Sequence, residues 1–233
     1  MIPLRDKNPS NVVPYVTIGI IVVNIVMFFV EISLETNLDG FLRNYGVVPS
    51  KFIGDVSGDR ATFIATFFPL FSYMFLHGGV VHLLGNIWYL WIFGDNIEDE
   101  LGHFKYLCFY LFCGIVASLV HLVFNSASEV PCIGASGAIA GVLGAYTVAF
   151  PYARVVTIIP FLFIWPIFEL PAMVVLGFWF VIQFFNGAVS ITASTSSGSV
   201  AWWAHIGGFI SGIGTFYFLR KLFGKKHRRM IAR

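Results

Sequence analysis

The fifteen residues from Ser136 to Phe150 carry no charge and stop at Pro151, and this segment constrains the fold more than any other. A helix over them rises about 22 Å, against a hydrocarbon core of about 30 Å. Its start must lie below the membrane surface, with polar backbone following it down. Irregular backbone at that depth is tolerated only inside protein or beside a water-filled cavity. Ser136, in the run Gly134-Ala135-Ser136-Gly137, is therefore a candidate nucleophile in a wet pocket within the bilayer.

The rest of the chain says why a bilayer is the solvent. Of 233 residues, 58% are hydrophobic and 11% are charged, where a soluble domain carries about a quarter charged. Apolar stretches at about 12–33, 77–94, 104–124, 136–150, 168–187 and 201–222 predict an all-α membrane protein, a bundle of six transmembrane helices. The run 61–76 is also apolar, and Pro69 predicts a break there. Arg5 and Lys7 precede the first stretch as in a secretory signal. That stretch runs into Glu31 and Glu35 without a small-residue cleavage site, so it reads as a retained span.

Charge predicts the orientation. An even number of spans puts both termini on one side, and that side carries Arg5, Lys7, Lys105, Arg154 and the tail cations Arg220, Lys221, Lys225, Lys226, Arg228, Arg229 and Arg233. The other side carries Arg43, Lys51 and Arg60. Eleven against three predicts cytoplasmic termini. The chain reads as one domain, 1–233, with its core at about 14–222 and a short basic tail at 223–233. The tail reads as a topology signal ahead of a contact for anionic lipid heads or nucleic acid, and the lipid bilayer, not nucleic acid, is the partner expected of the chain as a whole. Cys108, Cys113 and Cys132 make no disulfide framework and have no metal-ligand spacing.

With this topology the second, fourth and sixth spans begin on the outer side. His82, Asn86, Ser136 and His205 then all fall in the outer half of the membrane, where polar side chains face the bundle interior or a cavity. Gly208 and Gly212 form a GxxxG face that includes His205, and Gly137, Gly141 and Gly144 form a small-residue ridge on the fourth span. Two such faces let backbones approach closely and bring imidazole towards hydroxyl, the geometry of nucleophilic catalysis. His82 and Asn86 share a helix face. With the Ser136 backbone amide they are candidate donors to an oxyanion. Taken singly, each feature has a plainer reading. A serine in a glycine-rich turn caps helices, GxxxG is packing glue, and an intramembrane histidine is often a structural donor.

Together these residues resemble the rhomboid family of intramembrane serine proteases. The likeness rests on His82-Leu83-Leu84-Gly85-Asn86 (HxxxN), Gly134-Ala135-Ser136-Gly137 (GxSG) and Ala204-His205-Ile206-Gly207-Gly208 (AHxxG, continued to Gly212). The run Glu98-Asp99-Glu100-Leu101-Gly102 fits the family's ExxxG. The resemblance implies a rhomboid-type six-helix bundle and a Ser–His dyad without a third acidic member, metal or cofactor. Ser136 would be the nucleophile and His205 the general base. His82, Asn86 and the Ser136 amide would form the oxyanion hole. Substrates would be transmembrane proteins, cleaved in or near their spans. The fifth span, with Phe178, Trp179, Phe180, Phe184 and Phe185, would be a lateral gate.

Two departures stand out. Some members place a tyrosine four residues after the nucleophile, stacked on the base. Here that position is Ala140, so another group must orient His205. The loop between the first two spans lacks a Trp-Arg pair found in some members. A non-catalytic relative would lose the serine or the histidine, and both are present. A transporter would need ionisable residues along a path, whereas Glu31 and Glu169 read as interfacial, at the outer and inner ends. A metal protease built on His77, His82 and His205 would lack an HExxH helix and a carboxylate base. The short N-terminal segment, without an Arg- and Ser-rich transit peptide, favours a prokaryotic cytoplasmic membrane, with the site opening to the non-cytoplasmic side.

Overall fold

A computed structural model describes residues 1–57, 63–160, 164–192 and 200–223. Strand β1 (Ile2–Asp6) leads to α1 (Tyr15–Ser33). Four short helices follow: α2 (Leu38–Tyr45), α3 (Pro49–Ser57), α4 (Phe63–Phe67) and α5 (Pro69–Ser72). Next come α6 (Val80–Leu101), α7 (His103–Phe124) and α8 (Ser136–Ala149). Strands β2 (Arg154–Ile158) and β3 (Ile167–Pro171) precede α9 (Ala172–Thr192) and α10 (Trp202–Phe223). Arg60 and the basic tail from 224 onward lie outside the described residues.

Among the described residues, five helices of 19 to 22 residues and the 14-residue α8 occupy the six apolar stretches. Three of them, α1, α7 and α9, are long and apolar enough to cross a bilayer unaided. The segment Ile64–Phe75 and α6 would make a fourth span, bent by 78°. The chain is an integral membrane protein. Pro69 ends α4 and opens α5, where its missing N–H costs nothing. The second apolar stretch, expected to end near 94, continues as helix through Asp95–Leu101 and stops at Gly102, whose φ of +74° is one that L side chains rarely adopt.

Glu98 explains that extension. Its fully buried carboxylate accepts the backbone N–H groups of Val16 and Thr17 at 2.8 Å each and the Thr17 hydroxyl at 2.7 Å. Helix α1 has no side-chain cap of its own, so a carboxylate from α6 satisfies its first turn and complements its dipole. Glu31, expected at the outer interface, is instead buried and accepts the His77 backbone N–H at 3.1 Å. A buried carboxylate needs such donors, and the 76–79 bend supplies one.

An all-α chain was the expectation, and a three-stranded antiparallel sheet, β1-β2-β3, corrects it. Arg154-Val155-Val156-Thr157-Ile158 is rich in β-branched residues, and Pro151, Pro160, Pro166 and Pro171 keep helix out of its surroundings. Residues 168–171, expected to begin the fifth span, belong to β3. Lys7 pairs with Glu169 at 2.5 Å on the exposed side of the sheet. The Tyr146 hydroxyl, at the end of α8, donates to Asp6.

Burial holds the Asp6 carboxyl above its ordinary pKa despite that bond. The folded state therefore keeps the Asp6 proton to higher pH than the unfolded chain, and stability falls as pH rises through this titration. Asp6→Asn keeps an acceptor for Tyr146 and removes the titration. Melts in detergent between about pH 4 and pH 8 should show a flatter loss of stability with pH in the variant. An equally steep loss in both proteins would reject the assignment.

Helix α8 lies at the centre, buried from Gly137 to Tyr146. Lipid would accept an apolar helix on any face, so it is the small residues of α8 that let the other helices close around it and set how closely they approach. A Cβ on Gly208 would meet the Gly137 carbonyl oxygen, one on Gly212 the Gly141 carbonyl oxygen, and one on Gly144 the Phe209 carbonyl oxygen. Lipid tails are as apolar as side chains, so dispersion at such contacts, not water release, holds the helices together.

Candidate active site

Three backbone anchors hold the segment that delivers Ser136. Val47 and Cys132 exchange both N–H···O=C bonds, at 3.0 and 2.8 Å. The Gly134 N–H donates to the Tyr73 carbonyl at 2.9 Å, and the Tyr73 hydroxyl donates to the Gly114 carbonyl at 2.7 Å. Gly134 has φ +123°, and a Cβ there would stand 2.7 Å from His82 Nε2 and 3.6 Å from Ser136 Oγ. Glycine at 134 both turns the chain into α8 and leaves room for the His82 ring beside the serine.

Ser136 opens α8, which has no side-chain cap. Its hydroxyl is spent elsewhere: Ser136 Oγ and His205 Nε2 are 2.8 Å apart. The plainer reading of this serine as a helix cap is thereby displaced. The free N–H groups of the first turn of α8 remain to favour negative charge beside the hydroxyl.

His205, one turn into α10, is buried. Its other ring nitrogen, Nδ1, lies 2.7 Å from Gln183 Oε1 of α9. Trp179 of α9 lies 5.7 Å from the imidazole, ring to ring, and Trp202 lies 6.3 Å from it at 89°. Position 140 is Ala, and the side chain in contact with His205 Nδ1 is that of Gln183, while the imidazole itself lies between the two tryptophans. Sequence reasoning missed Gln183. The available signal was a polar side chain in the middle of a largely apolar span, which marks an inward face, although Asn186 and Ser190 share that span.

The candidate oxyanion donors lie on α6. The Asn86 amide nitrogen is buried without a hydrogen-bond partner, an arrangement that costs free energy unless a ligand or water completes it. His82 is half-buried, with His77 packed edge-on against it at 5.3 Å. Both ring nitrogens of His77 are buried and unpartnered. Among the described residues no three His, Cys, Asp or Glu side chains gather in a metal-holding group.

Of the five aromatics expected to form a gate on α9, Trp179 faces His205 and Phe180 stacks on Phe209 at 4.7 Å. Phe178, Phe184 and Phe185 are exposed on the outside of the bundle.

A serine and an imidazole in hydrogen-bond contact inside a helical membrane protein define a class, and comparison with known proteins names it. The Rhomboid domain family model matches residues 65–222. The chain is 32% identical over 162 residues to RHOMBOID-like protein 1 of Arabidopsis thaliana, covering 69% of this chain and 37% of that protein. It is 29% identical over 164 residues to Rhomboid protein 1, mitochondrial, of Saccharomyces cerevisiae, covering 67% and 43%. It is 28% identical over 174 residues to Presenilin-associated rhomboid-like protein A, mitochondrial, of Danio rerio, covering 70% and 40%. The chain belongs to the rhomboid family, whose members are generally intramembrane serine proteases. It matches only about two-fifths of the length of these curated relatives.

Proposed function

We propose that this protein is an intramembrane serine endopeptidase that hydrolyses peptide bonds in or near transmembrane segments of other membrane proteins. The observation that carries this reading is the 2.8 Å contact between Ser136 Oγ and His205 Nε2 at the half-buried start of α8. Ser136 Oγ attacks the scissile carbonyl carbon while His205 Nε2 takes its proton. The tetrahedral oxyanion is met by the Ser136 N–H, Asn86 and His82. Collapse breaks the C–N bond, and the imidazolium returns the proton to the leaving amine. Water then attacks the acyl-enzyme, passing a proton to His205, and the regenerated serine leaves a carboxylic acid product.

In this reading α1, α6, α7, α8, α9 and α10 form a six-span bundle and a single domain with both termini cytoplasmic, and residues 223–233 are its basic tail. The site opens to the non-cytoplasmic side of the membrane. Two of the relatives are mitochondrial by name, and for this chain the reading is an integral membrane protein. The bilayer and transmembrane protein substrates are its partners, with no nucleic acid and no cofactor in the chemistry.

The test is reconstitution in liposomes with single-span reporter proteins, with the products identified by mass spectrometry. New termini in or beside the reporter's apolar segment support the reading, and intact reporters count against it. Asn86→Ala removes one donor of several, so its cleavage rate should fall by about 10²-fold, less than on loss of the serine. An unchanged rate would remove Asn86 from the oxyanion role.

A further inference from the structure

We propose that Gln183 is a third, positioning member of the site, one that fixes the tautomer of His205. The inference rests on the serine–histidine reading above and goes beyond its two members.

The argument begins with the amide of Gln183. Its side chain is buried, and its Nε2 donates to the Trp179 carbonyl one turn back on α9, at 3.3 Å. With the nitrogen engaged there, the oxygen is the atom turned to His205, 2.7 Å from Nδ1. A carboxamide oxygen only accepts, so Nδ1 must be the donor. A neutral imidazole carries one proton, and Nε2 is left with a lone pair facing Ser136 Oγ at 2.8 Å. That is the tautomer able to take the serine proton.

When Nε2 is protonated during attack, the Nδ1–H···Oε1 bond gains a charged donor and strengthens. Gln183 thus aids the step without bearing a charge and without touching the reacting atoms. It reaches the base from α9, whereas His205 stands on α10. The orientation of the base therefore holds only while α9 is seated, and the Phe180–Phe209 stack at 4.7 Å is one contact that seats it.

The test pairs kinetics with nitrogen NMR on the full chain carrying ¹⁵N-histidine. In the wild type the His205 signal should be that of the Nδ1-protonated tautomer. Gln183→Met, of similar length but without an acceptor, should lower kcat on the order of 10- to 100-fold, as when an orienting partner of a histidine is removed. KM and the melting temperature should stay near wild type, and Nε2-protonated imidazole should appear in the spectrum. Gln183→Glu restores an acceptor oxygen and should recover most of the kcat.

Wild-type His205 resting with its proton on Nε2 would overturn the proposal, whatever the variants do. A Met variant with wild-type kcat would do so as well. The tautomer is read without turnover. If the wild type cleaves nothing, the protease reading fails while the placement of Gln183 is still decided by the spectrum.

Discussion

Ser136→Ala should abolish peptide cleavage, with a loss of about 10⁴-fold or more, and leave the fold intact. The substitution removes one oxygen from the start of α8, and that oxygen does not cap the helix, since its partner is His205. Alanine is also the better helix former. Residual activity should be confined to what the oxyanion donors and binding supply on their own. His205→Ala should abolish cleavage as well, at a larger structural cost. It empties a buried ring site between Trp179 and Trp202 and leaves Gln183 Oε1 without its partner, a loss of about 2–3 kcal/mol. Cleavage is followed in liposomes and folding by thermal melts. A Ser136→Ala protein that cuts near the wild-type rate would contradict the nucleophile assignment.

Gly212→Ala should be the most damaging change of a single methyl group away from the chemistry. The new Cβ would stand 2.6 Å from the Gly141 carbonyl carbon and Cα, with the carbonyl oxygen nearer still. The obstruction is backbone and cannot rotate aside, so α8 and α10 must part. Overpacking of this kind costs about 2–3 kcal/mol. The parting helices carry Ser136 and His205, and a misplacement of about 1 Å can cost about 10²-fold in rate. Gly214→Ala is the internal control, because nothing lies within 4 Å of a Cβ there. Helix propensity predicts a neutral to slightly stabilising effect at 214. Equal melting temperatures and rates for the two variants would contradict the close-packed seam.

The same seam shows what a sequence discloses and what it hides. Apolar stretches and Gly/Pro punctuation mark the long helices because both signals are local. The small-residue faces of the fourth and sixth stretches sit three or four residues apart, so facing ridges can be inferred before any contact is seen. The sheet could not be, because β1 pairs with a strand about 150 residues later, and Ile2–Asp6 has no periodicity of its own. Phe168, Leu170 and Pro171 flank Glu169 with apolar side chains, and hydropathy averaged over a window merges β3 into the helix that follows.

The buried carboxylates were hidden for another reason. Glu31 reads as interfacial because a charge at a helix end usually is. In the fold it sits under the 76–79 bend, where a backbone N–H offsets its burial. Glu98 carries a family motif, but that it caps α1 depends on a contact between helices that no spacing encodes. Gln183 is the instructive case. The missing tyrosine at position 140 demanded some other partner for His205, and of the two amides within the run 172–192, Gln183 and Asn186, the fold brings Gln183 to it.

The most direct test of the central claim is reaction of the purified, reconstituted protein with a fluorophosphonate, with the adduct located by peptide mass spectrometry. An activated serine predicts one stoichiometric adduct on Ser136 that is absent from Ser136→Ala and His205→Ala. Folded wild-type protein that forms no adduct, with this reagent or a second class of serine-directed inhibitor, would contradict the account and leave a helix-binding protein without protease chemistry.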